Sequence, residues 1–169
     1  MAVVAARPPG RLSLLLLVGL SVVFVALLVT SGILGMKLRE ASENEAGRQA
    51  VLHAARQEAV NFTTVSYKSI DTHVKRVMEG ATGDLKRQYK AGVGDLKQLV
   101  SENKAVSKGE VLSAGIVSMD GDSARVLVVA DSQATNASIP EGQTRHLRMQ
   151  LELTRADDRW LVSQLQFVG

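Results

Sequence analysis

Residues 145–162 read RHLRMQLELTRADDRWLV. Leu147, Met149, Leu151 and Leu153 recur at every second position, with Arg148, Gln150 and Glu152 between them. Side chains of a β-strand point alternately to opposite faces, so this pattern predicts a half-buried strand over His146–Arg155. Ala156-Asp157-Asp158-Arg159 interrupts the alternation and predicts a turn. Trp160–Val168 then predicts a strand running back beside the first.

Upstream, Val111–Met119 and Ala124–Asp131 are rich in Val, Leu and Ile and read as two more strands. Asp120-Gly121-Asp122 between them is a tight hairpin signal. Ser132–Thr144 holds Pro140 and Gly142 and reads as a longer loop. Short connections of this kind predict an antiparallel meander of about four strands.

Ahead of the strands the period changes. Residues 37–65, KLREASENEAGRQAVLHAARQEAVNFTTV, contain no proline and are rich in helix-forming residues. Val51 or Leu52, Ala55, Ala59 and Phe62 recur at helical spacing and predict a buried stripe. Residues 37–48 lack such a stripe, so 36–60 reads as a helical stalk leading into the first helix of the domain. Ser66–Asp71 reads as a break, with Asp71 as a cap for the following helix. Val74, Val77 and Met78 then face inward on a short helix ending at Gly80. A third helix begins near Thr82. Its stripe is Leu85, Tyr89, Val93, Leu96 and Val100, and Gly92 and Gly94 weaken it. Helices first and a strand meander afterwards predict an α+β fold. About three helices would pack on one curved antiparallel sheet.

Leu12–Gly35 is a run of 24 residues without a charge. At about 1.5 Å per helical residue it reaches roughly 36 Å, enough for a hydrocarbon core of about 30 Å. It predicts a membrane-spanning helix. A cleaved signal peptide would have a shorter apolar run and a small-residue cleavage site, and TSGILGMKLRE offers none. The expected organisation is a tail at 1–11, the span at 12–35, the stalk at 36–60 and one α+β domain at 61–169. Arg7 and Arg11 on the short tail favour a cytoplasmic N-terminus and an extracytoplasmic domain of a single-pass inner-membrane protein.

Composition narrows the function. The formal charge is +3, and Arg7 and Arg11 supply two of those units, so the domain is nearly neutral. One Trp, two Tyr and three Phe offer no base-stacking surface, and nucleic acid is not an expected partner. Nine bases against five acids over 68–108 read as a solvated helix face. The chain has no cysteine, which removes disulfides, thiol nucleophiles and thiolate metal sites. His53, His73 and His146 lie far apart and no metal-ligand spacing occurs. The sequons at Asn61 and Asn136 are short enough to arise by chance. Asp71 with Tyr67 and His73 is the nearest approach to an acid–base group, and capping explains Asp71 as well. No catalytic residue, cofactor or metal is expected.

Certain stretches have a family look: TVSYKSIDTHVKRVMEGATGDLKRQYKAG, AGIVSMDGDSARVLVVADSQATN, RHLRMQLELTRADDRWLV and the terminal SQLQFVG. The most telling pieces are Ala81-Thr82-Gly83 before the helix with Tyr89, Ala114-Gly115-Ile116-Val117, Ala124-Arg125-Val126-Leu127 and Arg159-Trp160-Leu161-Val162. With the short tail, the span and the stalk ahead of them, these resemble the Mce-associated membrane (Mam) proteins of actinobacteria. One departure is Asp158, where the family often has Gly before Arg-Trp. The resemblance implies a cone-like domain similar to nuclear transport factor 2, a shape shared with the membrane-anchored scaffold subunit of type IV secretion systems. It also implies a non-enzymatic accessory or scaffold subunit of an Mce-type ABC importer of lipids or sterols, with Mce proteins and the permease as partners. Homo-oligomers are compatible with it. The rival readings are a scaffold of a secretion apparatus, an enzyme of the ketosteroid-isomerase kind, and a lipid-binding module. For the last, Val74, Met78, Leu85, Tyr89 and Trp160 would line a cavity between sheet and helices, or else form plain core.

Overall fold

The computed structural model describes residues 44–169. The expected tail, the span over 12–35 and residues 36–43 of the stalk lie outside the described residues. Residues 44–63 form helix α1. The two-residue strand β1 (Val65–Ser66) and a 3-10 turn (Tyr67–Ser69) follow. Next come α2 (Ile70–Gly80), α3 (Gly83–Glu102), β2 (Val106–Asp120), β3 (Ser123–Asn136), β4 (Ile139–Ala156) and β5 (Arg159–Phe167). All strands are antiparallel neighbours in the order β1-β2-β3-β4-β5. The class is α+β as expected, with five strands instead of about four. The extra strand straddles the end of the expected helical stretch and the start of the expected break, and two residues are too few to show alternation. Val65 and Ser66 pair with Ser107 and Val106.

Alternation puts one face of the sheet into the core. Ala124, Val126, Val128 and Ala130 of β3 and Met149, Leu151 and Leu153 of β4 are buried, as is Val162 of β5. Leu127 and Val129 point the other way and are exposed, with Leu112 and Val117 of β2. Val51, Ala55 and Ala59 of α1 are fully buried and belong to the same cluster, with Phe62 packed against it. Residues 46–60, placed in the stalk by the sequence, thus carry core side chains of the compact unit Ala46–Gly169.

The strands are longer than the sequence predicts. The expected loop Ser132–Thr144 is mostly paired backbone, closing at Asn136 and Ile139. The Asn136 side-chain oxygen accepts hydrogen bonds from the amides of Ser138 (2.8 Å) and Ile139 (2.9 Å), which forms the turn locally. Pro140 is tolerated because β5 pairs with β4 only from Met149 onward, so its missing donor leaves no β5 neighbour unsatisfied.

The cap expectation is also corrected. Ser69 takes the position before α2, and Asp71 lies in its first turn, exposed and ion-paired with Lys97 of α3. The hairpin expected at Asp120-Gly121-Asp122 is present, with Gly121 at φ +46°. An L side chain would be strained there.

Candidate functional site

Ala50, His53, Ala54, Gln57, Glu58 and Asn61 share one face of α1, at spacings of three and one. Opposite stand Gly80 at the end of α2 and Asp158, Arg159, Trp160 and Leu161 at the β4–β5 turn. Together they enclose an open pocket of about 360 Å³. The Arg159 guanidinium donates to the Glu79 carbonyl at 3.2 Å, which ties the turn to α2. The turn has Asp157 at φ +48° and Asp158 at φ +59°. Two successive left-handed residues make the tight hairpin that the sequence predicted.

Glu58 is the notable group. Its side chain is 1% exposed. Asn61 Nδ2 donates to Oε2 at 3.1 Å, and Gln57 Nε2 donates to Asn61 Oδ1 at 3.1 Å. Oε1 is buried without a protein partner. Burial pushes the carboxyl up to about 8, against a smaller opposing effect of Asn61. The group is therefore a neutral acid at pH 7. Since Oε2 accepts from Asn61, the proton belongs on Oε1. Gly80 is what makes room: a Cβ there would lie 2.0 Å from Oε2 and 2.8 Å from Cδ.

A second buried group of polar atoms ties the helices together. His73 of α2 shares a hydrogen bond of 2.8 Å between Nδ1 and the Thr64 carbonyl. A carbonyl only accepts, so Nδ1 carries the proton and Nε2 accepts from the Tyr89 hydroxyl of α3 at 2.7 Å. Burial lowers the His73 pKa, which keeps the ring neutral. Burial, and after it the charge of Glu58, pushes Tyr89 up to about 12. With both ring nitrogens occupied, His73 orders α2 against α1 and α3 and is not presented as a base.

The sequence-derived site residues are dispersed. Trp160 lines the pocket beside Glu58 and packs partly on the core. Leu85 is a core residue. Tyr89 is held by His73 and by Phe62, whose ring centroid is 6.1 Å away. Val74 and Met78 are half-buried on α2. Asp71 and Tyr67 do not join His73, which pairs with Tyr89 and Thr64. His53 is exposed on α1 and His146 pairs with Asp131 at 2.6 Å. Among the described residues no group of three or more His, Asp or Glu could hold a metal ion. Sequence reasoning missed Glu58, although a signal was present. Glu58 follows Ala55 by three positions and Val51 by seven, so it falls on the apolar stripe.

Comparison with known proteins bears on fold and family. Solved structures share the fold. The IcmL-like type IV secretion protein of Legionella pneumophila is 17% identical, with a TM-score of 0.60 over 72% of this chain and 91% of the other. The periplasmic domain of DotI is 18% identical, with a TM-score of 0.60 over 72% and 94%. CagV, a VirB8 homologue of Helicobacter pylori, is 12% identical, with a TM-score of 0.55 over 72% and 98%. In sequence, the uncharacterised protein Rv1363c of Mycobacterium tuberculosis is 27% identical over 158 residues, 94% of this chain. The chain spans 60% of that relative's length. Residues 12–169 match the family described as Rv1363c/MT1408-like uncharacterised proteins, and the chain belongs to that family.

Proposed function

We propose that this protein is a membrane-anchored, non-enzymatic accessory or scaffold subunit that stabilises or assembles an Mce-type importer of lipids or sterols. The observation that carries the reading is the likeness of its α+β domain to the IcmL-like type IV secretion protein of Legionella pneumophila and to CagV, a VirB8 homologue of a type IV secretion system. Those are proteins of type IV secretion systems, and the shared fold supports a scaffold role. The Mce setting comes from the sequence pieces around Tyr89, Ala114–Val117 and Arg159–Val162. The uncharged run at 12–35 would anchor the protein, with the domain outside the cytoplasm.

The test is purification of the full chain from native membranes in mild detergent, with mass spectrometry of co-purifying proteins. Mce proteins and their permease are the expected companions. Recovery of secretion components instead would move the scaffold to a different machine. A deletion confined to residues 36–43 tests the stalk. It leaves the buried residues from Val51 onward in place, and the expected result is weaker partner recovery from a folded domain.

A further inference from the structure

The pocket between α1, the end of α2 and the β4–β5 turn is lined by both polar and apolar residues. Ala54, Trp160 and Leu161 supply apolar surface, and Glu58 is among the polar residues that line it. A volume of about 360 Å³ falls within the roughly 300–1,000 Å³ typical of small-molecule sites. One lining residue is unusual. Glu58 is 1% exposed, its Oε2 is committed to Asn61, and Oε1 has no protein partner. A buried donor left without an acceptor costs roughly 1–3 kcal/mol, and a ligand oxygen would relieve that cost. Gly80 adds to the case, since any side chain there would run into the carboxyl.

We propose that this pocket binds a small uncharged molecule with an apolar body and a carbonyl, ether or hydroxyl oxygen, which accepts a hydrogen bond from the Glu58 carboxylic acid. Charge selects the class. At Glu58 a carboxylate ligand would meet an acid with only one proton to offer, and the Arg159 guanidinium that also lines the pocket already donates to the Glu79 carbonyl. An amine would have to bury two charges, its own and that of an ionised Glu58, at a large desolvation cost. The other titratable or charged groups at the pocket are His53 of α1 and Asp158 and Arg159 of the turn; Tyr89 of α3 feels the charge of Glu58. The site is independent of the scaffold reading, because it concerns a ligand and not the partner chains.

Trp160 is the only tryptophan in the chain and it lines the pocket, so its emission reports occupancy directly. The experiment uses the full chain in lipid nanodiscs, titrated at pH 7 with cyclohexanol, cyclohexylammonium and cyclohexanecarboxylate. Free probe concentrations are fixed by dialysis. A saturable Trp160 response to cyclohexanol is expected, with at least about fivefold weaker responses to both charged isosteres, the factor one hydrogen bond commands. Glu58→Leu should weaken cyclohexanol by a similar factor. Glu58→Gln keeps a neutral donor and the shape of the side chain, so it should bind at pH 7 even if the leucine variant fails to fold. Affinity of the parent chain should fall as pH rises past about 8, where Glu58 ionises, and that of Glu58→Gln should not. Equal responses to all three probes, tighter binding of the amine or carboxylate, no saturable response, or the same pH profile in Glu58→Gln would each overturn the proposal.

Discussion

At the scale of single residues, Glu58 gives the protein a measurable pH signature. The folded chain keeps this proton up to about pH 8, whereas an unfolded glutamate loses it near 4.5. Between those values the folded state holds one proton more, so its stability falls as pH rises. The contribution is complete below 4.5 and gone above 8. His73 acts with the opposite sign. Its folded pKa lies below 6.5, so the unfolded chain takes up the proton first and stability drops as pH falls below 6.5. The window from 6.5 to 8 isolates Glu58. Thermal melts of the parent chain should show a falling Tm across it, and Glu58→Gln should flatten the slope. Asp158 makes a second residue-scale prediction. At φ +59° a glycine is less strained than an aspartate. The ion pair that Asp158 makes with Arg155 is highly exposed and contributes little. Asp158→Gly should therefore stabilise the chain by about 0.5–1 kcal/mol in urea unfolding. A loss of stability would show that the pair with Arg155 matters more than the backbone.

At the scale of elements, α3 runs unbroken from Gly83 to Glu102 despite two interior glycines. The expected weakening at Gly92 and Gly94 is a matter of energy, not of shape. A Cβ at either position meets open space, so the helix gains propensity without a clash. Gly92→Ala and Gly94→Ala should each add about 0.5–1 kcal/mol, measured by urea unfolding. The helix keeps its place because Leu85 and Val100 are buried at its two ends and Tyr89 is bonded to His73. The strands illustrate the reverse error. The sequence predicts Pro140 and Gly142 in a loop, yet they lie in β4, pinned by a turn that the Asn136 side chain closes. Local composition named the breaker residues correctly. It had no means of seeing that the partner strand continues through Ser132–Asn136.

At the scale of the whole molecule, the core is shared between the α1 stripe, Leu85 of α3 and one face of the sheet. Val51, Ala55 and Ala59 face the same cluster as Val126, Val128, Met149, Leu151 and Val162. Removing residues 46–60 should abolish cooperative unfolding followed by circular dichroism, whereas removing 36–43 should leave it intact. A cooperative transition in the first deletion would show that α2 and α3 suffice to cover the sheet.

The class of fold follows from the sequence by itself. Alternation at Leu147, Met149, Leu151 and Leu153 and helical spacing at Leu85, Tyr89 and Val100 are local signals, and each side chain's face is set within its own element. The turn at Asp157-Asp158 was equally legible, because turn chemistry resides in neighbouring residues. Only the tertiary structure decided which polar groups are buried. Glu58 falls on the apolar stripe of α1, but its burial is decided only when α2 and the β4–β5 turn close around it. The histidine partner of Tyr89 lies 16 positions away on another helix. Such pairings depend on contacts between distant segments, and desolvation, which makes Glu58 a neutral acid, exists only after those segments have met.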